Sequence, residues 1–156
     1  MKKTQTKEVS DLKKHIGFWM RIVSNNVSHS FAKKLETQGF TVAEWVVLRE
    51  MHECKNTIVP SYIADLTGLT RGAISKLVDR LLEKGFVTRK ESSNDRRYQE
   101  IELTKEAKHL LPKLASIADE NDEQFFSVLS LSERKTLTEL LRKTAEFNQL
   151  TKLPIE

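Results

Sequence analysis

One cysteine among 156 residues, Cys54, rules out an internal disulfide. The histidines His15, His29, His52 and His109 are dispersed and form no His-Glu-x-x-His pair, and no paired-cysteine spacing exists, so no metal centre is expected. His52 and Cys54 stand two apart, which on a helix turns them to different sides. No glycine-rich phosphate loop and no nucleophile elbow is present, and no nucleophile–base pair is recognisable; no enzymatic activity and no cofactor are expected. No run of about 18 apolar residues occurs, so no membrane span is expected. The first residues, Met1-Lys2-Lys3-Thr4-Gln5, lack the apolar stretch of a signal peptide, and a cytoplasmic place follows as the expectation. Aromatic residues make up only 7% and charged residues 31%, the profile of a helical, water-soluble chain about one domain long.

What is present is a continuous device between Ile63 and Leu103: helix, glycine turn, helix, strand, basic loop, strand. Pro60 suits the first turn of a short helix with Ile63, Ala64 and Leu66 inward. After Gly68, Thr70 suits an N-cap and Gly85 a C-terminal stop. Between them Ile74, Leu77, Val78 and Leu81 follow the i, i+3, i+4, i+7 rule and must face the core. The opposite face then shows Gly72, Ser75, Lys76 and Asp79, with Arg71 in the exposed first turn and Arg80 beyond. Gly72 and Ser75 are small enough for close approach, and Arg71 and Lys76 reach base-edge acceptors or phosphates. Asp79 and Glu83 repel phosphate, so only the first half of this helix is expected to enter a groove. Phe86 to Glu91 and Tyr98 to Leu103 read as strands, with Ile101 and Leu103 on one face. Ser92-Ser93-Asn94-Asp95 is turn chemistry, followed by the guanidinium pair Arg96 and Arg97. That order is the layout of a winged helix-turn-helix, which lays one helix in the DNA major groove.

Charge placement agrees. From Thr70 to Arg97 eight basic residues face four acidic ones, which carries the whole net charge of +4, although widening the window to Pro60–Leu103 lowers it to +1.

The flanks are helical. From Val9 to Leu35 the residues Leu12, Ile16, Trp19, Val23, Val27, Phe31 and Leu35 recur every three or four positions, a stripe about 40 Å long at 1.5 Å per residue. Gly39 ends it, and Thr41-Val42-Ala43-Glu44 has capping-box spacing for a helix with Val42, Trp45, Val46 and Met51 inward. From Thr104 onward Ala107, Leu110, Leu111, Leu114 and Ile117 or Ala118 form another stripe, interrupted by Pro112. The acidic run Asp119 to Glu123 reads as a solvated turn, and Ser132 as the cap of a last helix bearing Leu137, Leu140, Leu141, Ala145 and Phe147. Stripes of this length exceed what the winged module can bury and call for a partner.

Ile63-Ala64, Leu66, Gly68-Leu69-Thr70, Ser75, Val78, Leu81, Lys84-Gly85-Phe86-Val87, Arg89, Asp95-x-Arg97 and Leu103-Thr104 together resemble the MarR family of winged-helix transcriptional regulators, over nearly the whole chain. Ala107 stands where that family usually has glycine.

The resemblance implies a mainly α fold with a small β-hairpin wing. Its winged helix-turn-helix would span 41–104 and its dimerisation helices 8–38 and 105–150. It also implies a homodimer on a pseudo-palindromic double-stranded operator, a repressor or an activator with repression the expectation, in the bacterial or archaeal cytoplasm on the nucleoid. Asp95-Arg96-Arg97 is the family's wing motif, so Arg97 takes the minor-groove role. Thr70, Arg71, Gly72, Ser75, Lys76, Arg80, Asn94, Asp95, Arg96 and Arg97 make up the expected DNA surface.

Family members often bind small aromatic effectors between the dimerisation helices and the reading module. His15, Trp19, Met20, Trp45, Arg49 and His52 are the residues here that could line such a cleft, with the two tryptophans equally readable as core. Redox-sensing cysteines in the family lie near the start of the first helix, so Cys54 reads as a partly buried thiol. An architectural DNA protein or a winged interaction module are the competing readings. The first is disfavoured by the modest basicity, the second by Arg71, Lys76 and Arg97.

Overall fold

Four hydroxyl side chains set the starts of four helices. Thr41, Thr70, Thr104 and Ser130 accept from the backbone N–H groups of Glu44 (3.2 Å), Ala73 (3.2 Å), Ala107 (3.1 Å) and Glu133 (3.3 Å). Each satisfies a donor that the first helical turn leaves free. The computed structural model describes residues 9–91 and 99–155. Six helices are found among them: α1 (Ile16–Glu36), α2 (Val42–Glu53), α3 (Pro60–Thr67), α4 (Arg71–Glu83), α5 (Lys105–Phe125) and α6 (Leu131–Phe147). Three strands, β1 (Thr57–Ile58), β2 (Val87–Glu91) and β3 (Gln99–Leu103), form an antiparallel sheet in the order β1-β3-β2. Val87 pairs with Leu103 and Arg89 with Ile101, while Ile58 faces Ile101 from the other side. The fold is therefore mainly helical with a small sheet, as expected, but the wing hairpin carries a third strand. Two residues are too few to show alternation, so periodicity had no purchase on β1.

The core lies under the reading helices. Ile74, Leu77, Val78 and Leu81 of α4 are all buried, as their spacing requires. They meet Ile63 of α3, Val47, Leu48 and Met51 of α2, Val87, Ile101 and Leu103 of the sheet, and Ala107, Leu111 and Leu114 of α5. Both glycine stops form left-handed turns. Gly39 (φ 79°) and Gly85 (φ 73°) each let the next residue's N–H reach back, Phe40 to the Leu35 carbonyl (3.1 Å) and Phe86 to the Leu81 carbonyl (3.0 Å).

Several expectations need correction. The first stripe is not one helix from Val9: Asp11 accepts from the Lys13 N–H (3.0 Å) and caps a short 3-10 turn, Leu12–Lys14, His15 is extended, and α1 begins at Ile16. On α2 the fully buried apolar residues are Val47, Leu48 and Met51, while Val42, Trp45 and Val46 are half-buried. The run Trp45-Val46-Val47-Leu48 has no polar break, so its phase is set by packing rather than by pattern. Helix α5 continues through Pro112, which is exposed; the acceptor left without an N–H partner is the carbonyl of Lys108, itself an exposed residue. The acidic run is not wholly solvated. Asn121 is 2% exposed, accepts from the Ser30 hydroxyl (2.8 Å) and donates to the Val27 carbonyl (3.2 Å), which latches α5 to α1. The last helix is capped by Ser130, not Ser132, through a full capping box with Glu133.

Candidate nucleic-acid interface

The outer face of α4 is open. Arg71, Gly72, Ser75 and Lys76 are exposed while Ile74, Leu77 and Val78 anchor the helix from behind. A Cβ added at Gly72 meets nothing within 4 Å among the described residues, so packing does not demand glycine there. The room it leaves faces outward. Thr70, exposed, caps this helix, so its first turn presents free N–H groups and a positive dipole end. A groove of about 410 Å³ runs between the starts of α3 and α4 and the sheet, bringing Arg71 and Ser75 beside Ser61 and Gln99. Ser61 and Gln99 are not legible in the sequence; no spacing rule joins residues ten and sixteen positions away from the helix they flank, and only the sheet and the α3–α4 turn bring them in.

The trailing half of α4 is occupied by its own charges. Glu44 at the start of α2 is fully buried, and the Lys84 ammonium lies 2.9 Å from each of its carboxylate oxygens. The same ammonium donates to the Gly39 carbonyl at 2.8 Å and sits 5.3 Å from the Phe40 ring centroid. Arg80 also leans on Glu44, at 3.7 Å, with its side chain half-exposed. A buried carboxylate without such cations is strongly destabilising, so Lys84 is structural and Arg80 is shared between Glu44 and solvent. Arg80, a member of the expected DNA surface, thus also carries an ion pair within the chain. Asp79 pairs with Arg89 of β2 at 2.9 Å, so its charge is partly neutralised and ties α4 to the wing strand.

Asn94, Asp95, Arg96 and Arg97 lie outside the described residues, and the expected wing contacts lie there with them.

The six expected effector residues are not brought together within the single chain. Arg49 and His52 line a pocket of about 110 Å³ with Lys108, Leu111, Pro112 and Ala115, between α2 and α5. Arg49 also pairs with Glu53 one turn on. Trp19 donates its indole N–H to the Lys13 carbonyl (2.8 Å), and His15 lies 3.0 Å from the Ser10 hydroxyl, so both are engaged at the entrance to α1. Met20 is exposed on α1. Trp45 packs edge-on against Phe31 at 6.4 Å and belongs to the core margin. Cys54 is half-buried against the core. Among the described residues, no three His, Cys, Asp or Glu side chains converge as a metal site, and no helix is long and apolar enough to cross a membrane.

A helix pair joined by a glycine turn, an outward second helix and a following hairpin define a winged helix-turn-helix protein. Residues 38–97 match the model of the MarR family. Apo wild-type MarR from E. coli shares the fold at a TM-score of 0.72, with 23% identity over 88% of this chain and 98% of that one. A cysteine-to-serine mutant of E. coli MarR complexed with operator DNA gives 0.72 and 25% identity over 86% and 99%. A probable transcriptional regulator from Pseudomonas aeruginosa gives 0.74 and 26% identity over 86% and 99%. The span that the family model matches runs from the turn before α2 through β2 and so covers the helix-turn-helix.

Proposed function

We propose that this chain is a sequence-specific DNA-binding transcriptional regulator, a repressor, that acts as a homodimer on a pseudo-palindromic operator. The observation that carries the reading is the outward face of α4, where Arg71, Gly72, Ser75 and Lys76 are exposed among the described residues. The DNA-bound MarR relative supports it. In this reading Arg71 and Lys76 contact base edges or phosphates, Gly72 and Ser75 permit the approach, and Arg97 reaches the minor groove. The module spans 41–104, and the flanking helices dimerise.

Support for the dimer comes from the apolar residues those helices leave in water: Ile16, Trp19, Met20 and Val23 on α1, and Leu137, Leu140, Leu141 and Phe147 on α6. Faces of this extent mark an interface. A small aromatic effector is proposed to act at the junction of α2 and α5. One protomer offers only about 110 Å³ there, below the roughly 300 Å³ where ligand pockets begin. A second copy therefore completes the site. The effector then acts by favouring a spacing of the two α4 helices that fits DNA badly. Solved relatives described as regulated by 6-hydroxynicotinic acid and as bound to 2,4-dichlorophenol point the same way.

In-vitro selection of bound fragments from random DNA tests this. The expected result is two inverted half-sites about 34–36 Å apart centre to centre. Retention without sequence enrichment would replace the regulator by an architectural binder, and no retention by an interaction module.

A further inference from the structure

Helix α6 buries none of its residues in the single chain, yet the segment that leaves it turns back onto the reading module. The Leu153 N–H donates to the Leu66 carbonyl at 2.9 Å, and the Lys152 ammonium donates to the Asp65 carbonyl. A Cβ built on Gly68 would come 3.9 Å from the Cδ of Lys152, so the tail lies along the α3–α4 turn itself. Leu153 and Ile155 are half-buried while Thr151, Lys152 and Pro154 between and before them are exposed, the alternation of an extended segment seated on one side.

The docking point has a specific need. The last turn of any helix leaves carbonyls without intrahelical donors. In α3 the Gly68 N–H takes the Ala64 carbonyl at 2.8 Å, and the next two, Asp65 and Leu66, are taken by the tail. An ammonium at that end also meets the negative pole of the helix dipole. From Leu66 the chain passes through Gly68 and Leu69 to Thr70, the cap of α4. The tail therefore holds the link through which α3 fixes the start of the recognition helix, and its own root is the end of a proposed dimerisation helix.

We propose that Lys152 and Leu153 are positioning residues for the recognition helix: they strap the α3–α4 turn to the end of α6, so the geometry of the dimer sets the tilt of the reading face. This rests on the regulator reading above, and it adds a mechanical link between dimer and reader that the winged module does not contain.

The test uses the full-length chain and two readouts. Leu153→Pro removes the backbone donor and keeps an apolar side chain; Lys152→Met removes the ammonium and keeps the stem; Leu153→Ala keeps the donor. In the Leu153→Pro/Lys152→Met double variant, hydrogen exchange in residues 66–73 is expected to quicken by about tenfold while dimer mass and melting midpoint stay as in the parent. Leu153→Ala is expected to retain most of the protection. On the selected operator, lengthening or shortening the spacer by one base pair is expected to penalise the double variant several-fold less than the parent. Unchanged exchange overturns the strap. Faster exchange with an unchanged spacer preference reduces the tail to a local helix cap and overturns the positioning role. If the parent binds no DNA, the regulator reading fails, while the exchange measurement still decides whether the tail holds the turn.

Discussion

The reading module and the helices that flank it are built from the same kind of stripe with opposite outcomes. In α4, four residues at helical spacing are all buried by their own chain. In α6, Leu137, Leu140, Leu141 and Phe147 follow a comparable rule and all remain exposed. An amphipathic pattern thus states that a face needs covering, and the number of neighbours within the chain decides what covers it. The module is self-sufficient. The flanks are not.

The sharpest way to break that contrast is Leu81→Ala against Leu140→Ala. Leu81 is fully buried, so its truncation is expected to cost about 2–5 kcal/mol at any protein concentration, read from urea midpoints. Leu140→Ala is expected to lower the midpoint mainly at low protein concentration, because in the proposed dimer its cover comes from a second copy. Equal, concentration-independent losses would erase the distinction. Leu140→Glu with Leu141→Glu carries the contrast further and is expected to give a light-scattering mass near 18.0 kDa with the α4 module still folded.

Within the module, Arg71→Ala is expected to cost about 1–3 kcal/mol of discrimination at one base position if its contact is bidentate, visible as a changed logo in selected DNA. Arg97→Ala is expected to weaken binding across sequences and lower the salt slope by about 1. An unchanged slope would remove Arg97 from the phosphate contacts.

The smallest effect concerns acid. Glu133 is held below the ordinary 4.5 by hydrogen bonds from the Ser130 backbone N–H and then its hydroxyl. A depressed carboxylate stabilises the fold above its ordinary value and loses that contribution as pH falls through the lower, folded value. Fraying at the start of α6 is therefore expected below pH 4.5, detectable as faster amide exchange there, and absent in Glu133→Gln.

Local rules were legible in the chain wherever one residue acts on its near neighbours. Thr41 with Glu44, Pro60, Thr70, Gly39 and Gly85 occupy the positions their chemistry required. Ser130 with Glu133 has the same capping-box spacing, so the true cap of α6, rather than Ser132, is also legible in the chain. What no spacing could disclose is proximity between distant segments. Arg80 lies on a helix face that points outward, yet Glu44, thirty-six positions earlier in the sequence, claims part of its charge. Asn121 sat in an acidic run that suggested solvent, and only the packing of α5 on α1 shows that its amide is enclosed. Among the expected effector residues, Arg49 and His52 line one pocket between α2 and α5, whereas His15 and Trp19 are engaged at the entrance to α1.

The matching left-handed stops of α1 and α4 have a mechanical meaning. Phe40 and Phe86, the residues just past each stop, pack with tilted rings 5.0 Å apart between centroids, and the Lys84 ammonium pins one stop to the other through the Gly39 carbonyl. The first long helix and the groove-facing helix consequently share a single pivot. In the proposed dimer, a swing of α1 against a second copy would be carried through this pivot toward the far end of α4, with the first turn and its Arg71 as the tip of the lever.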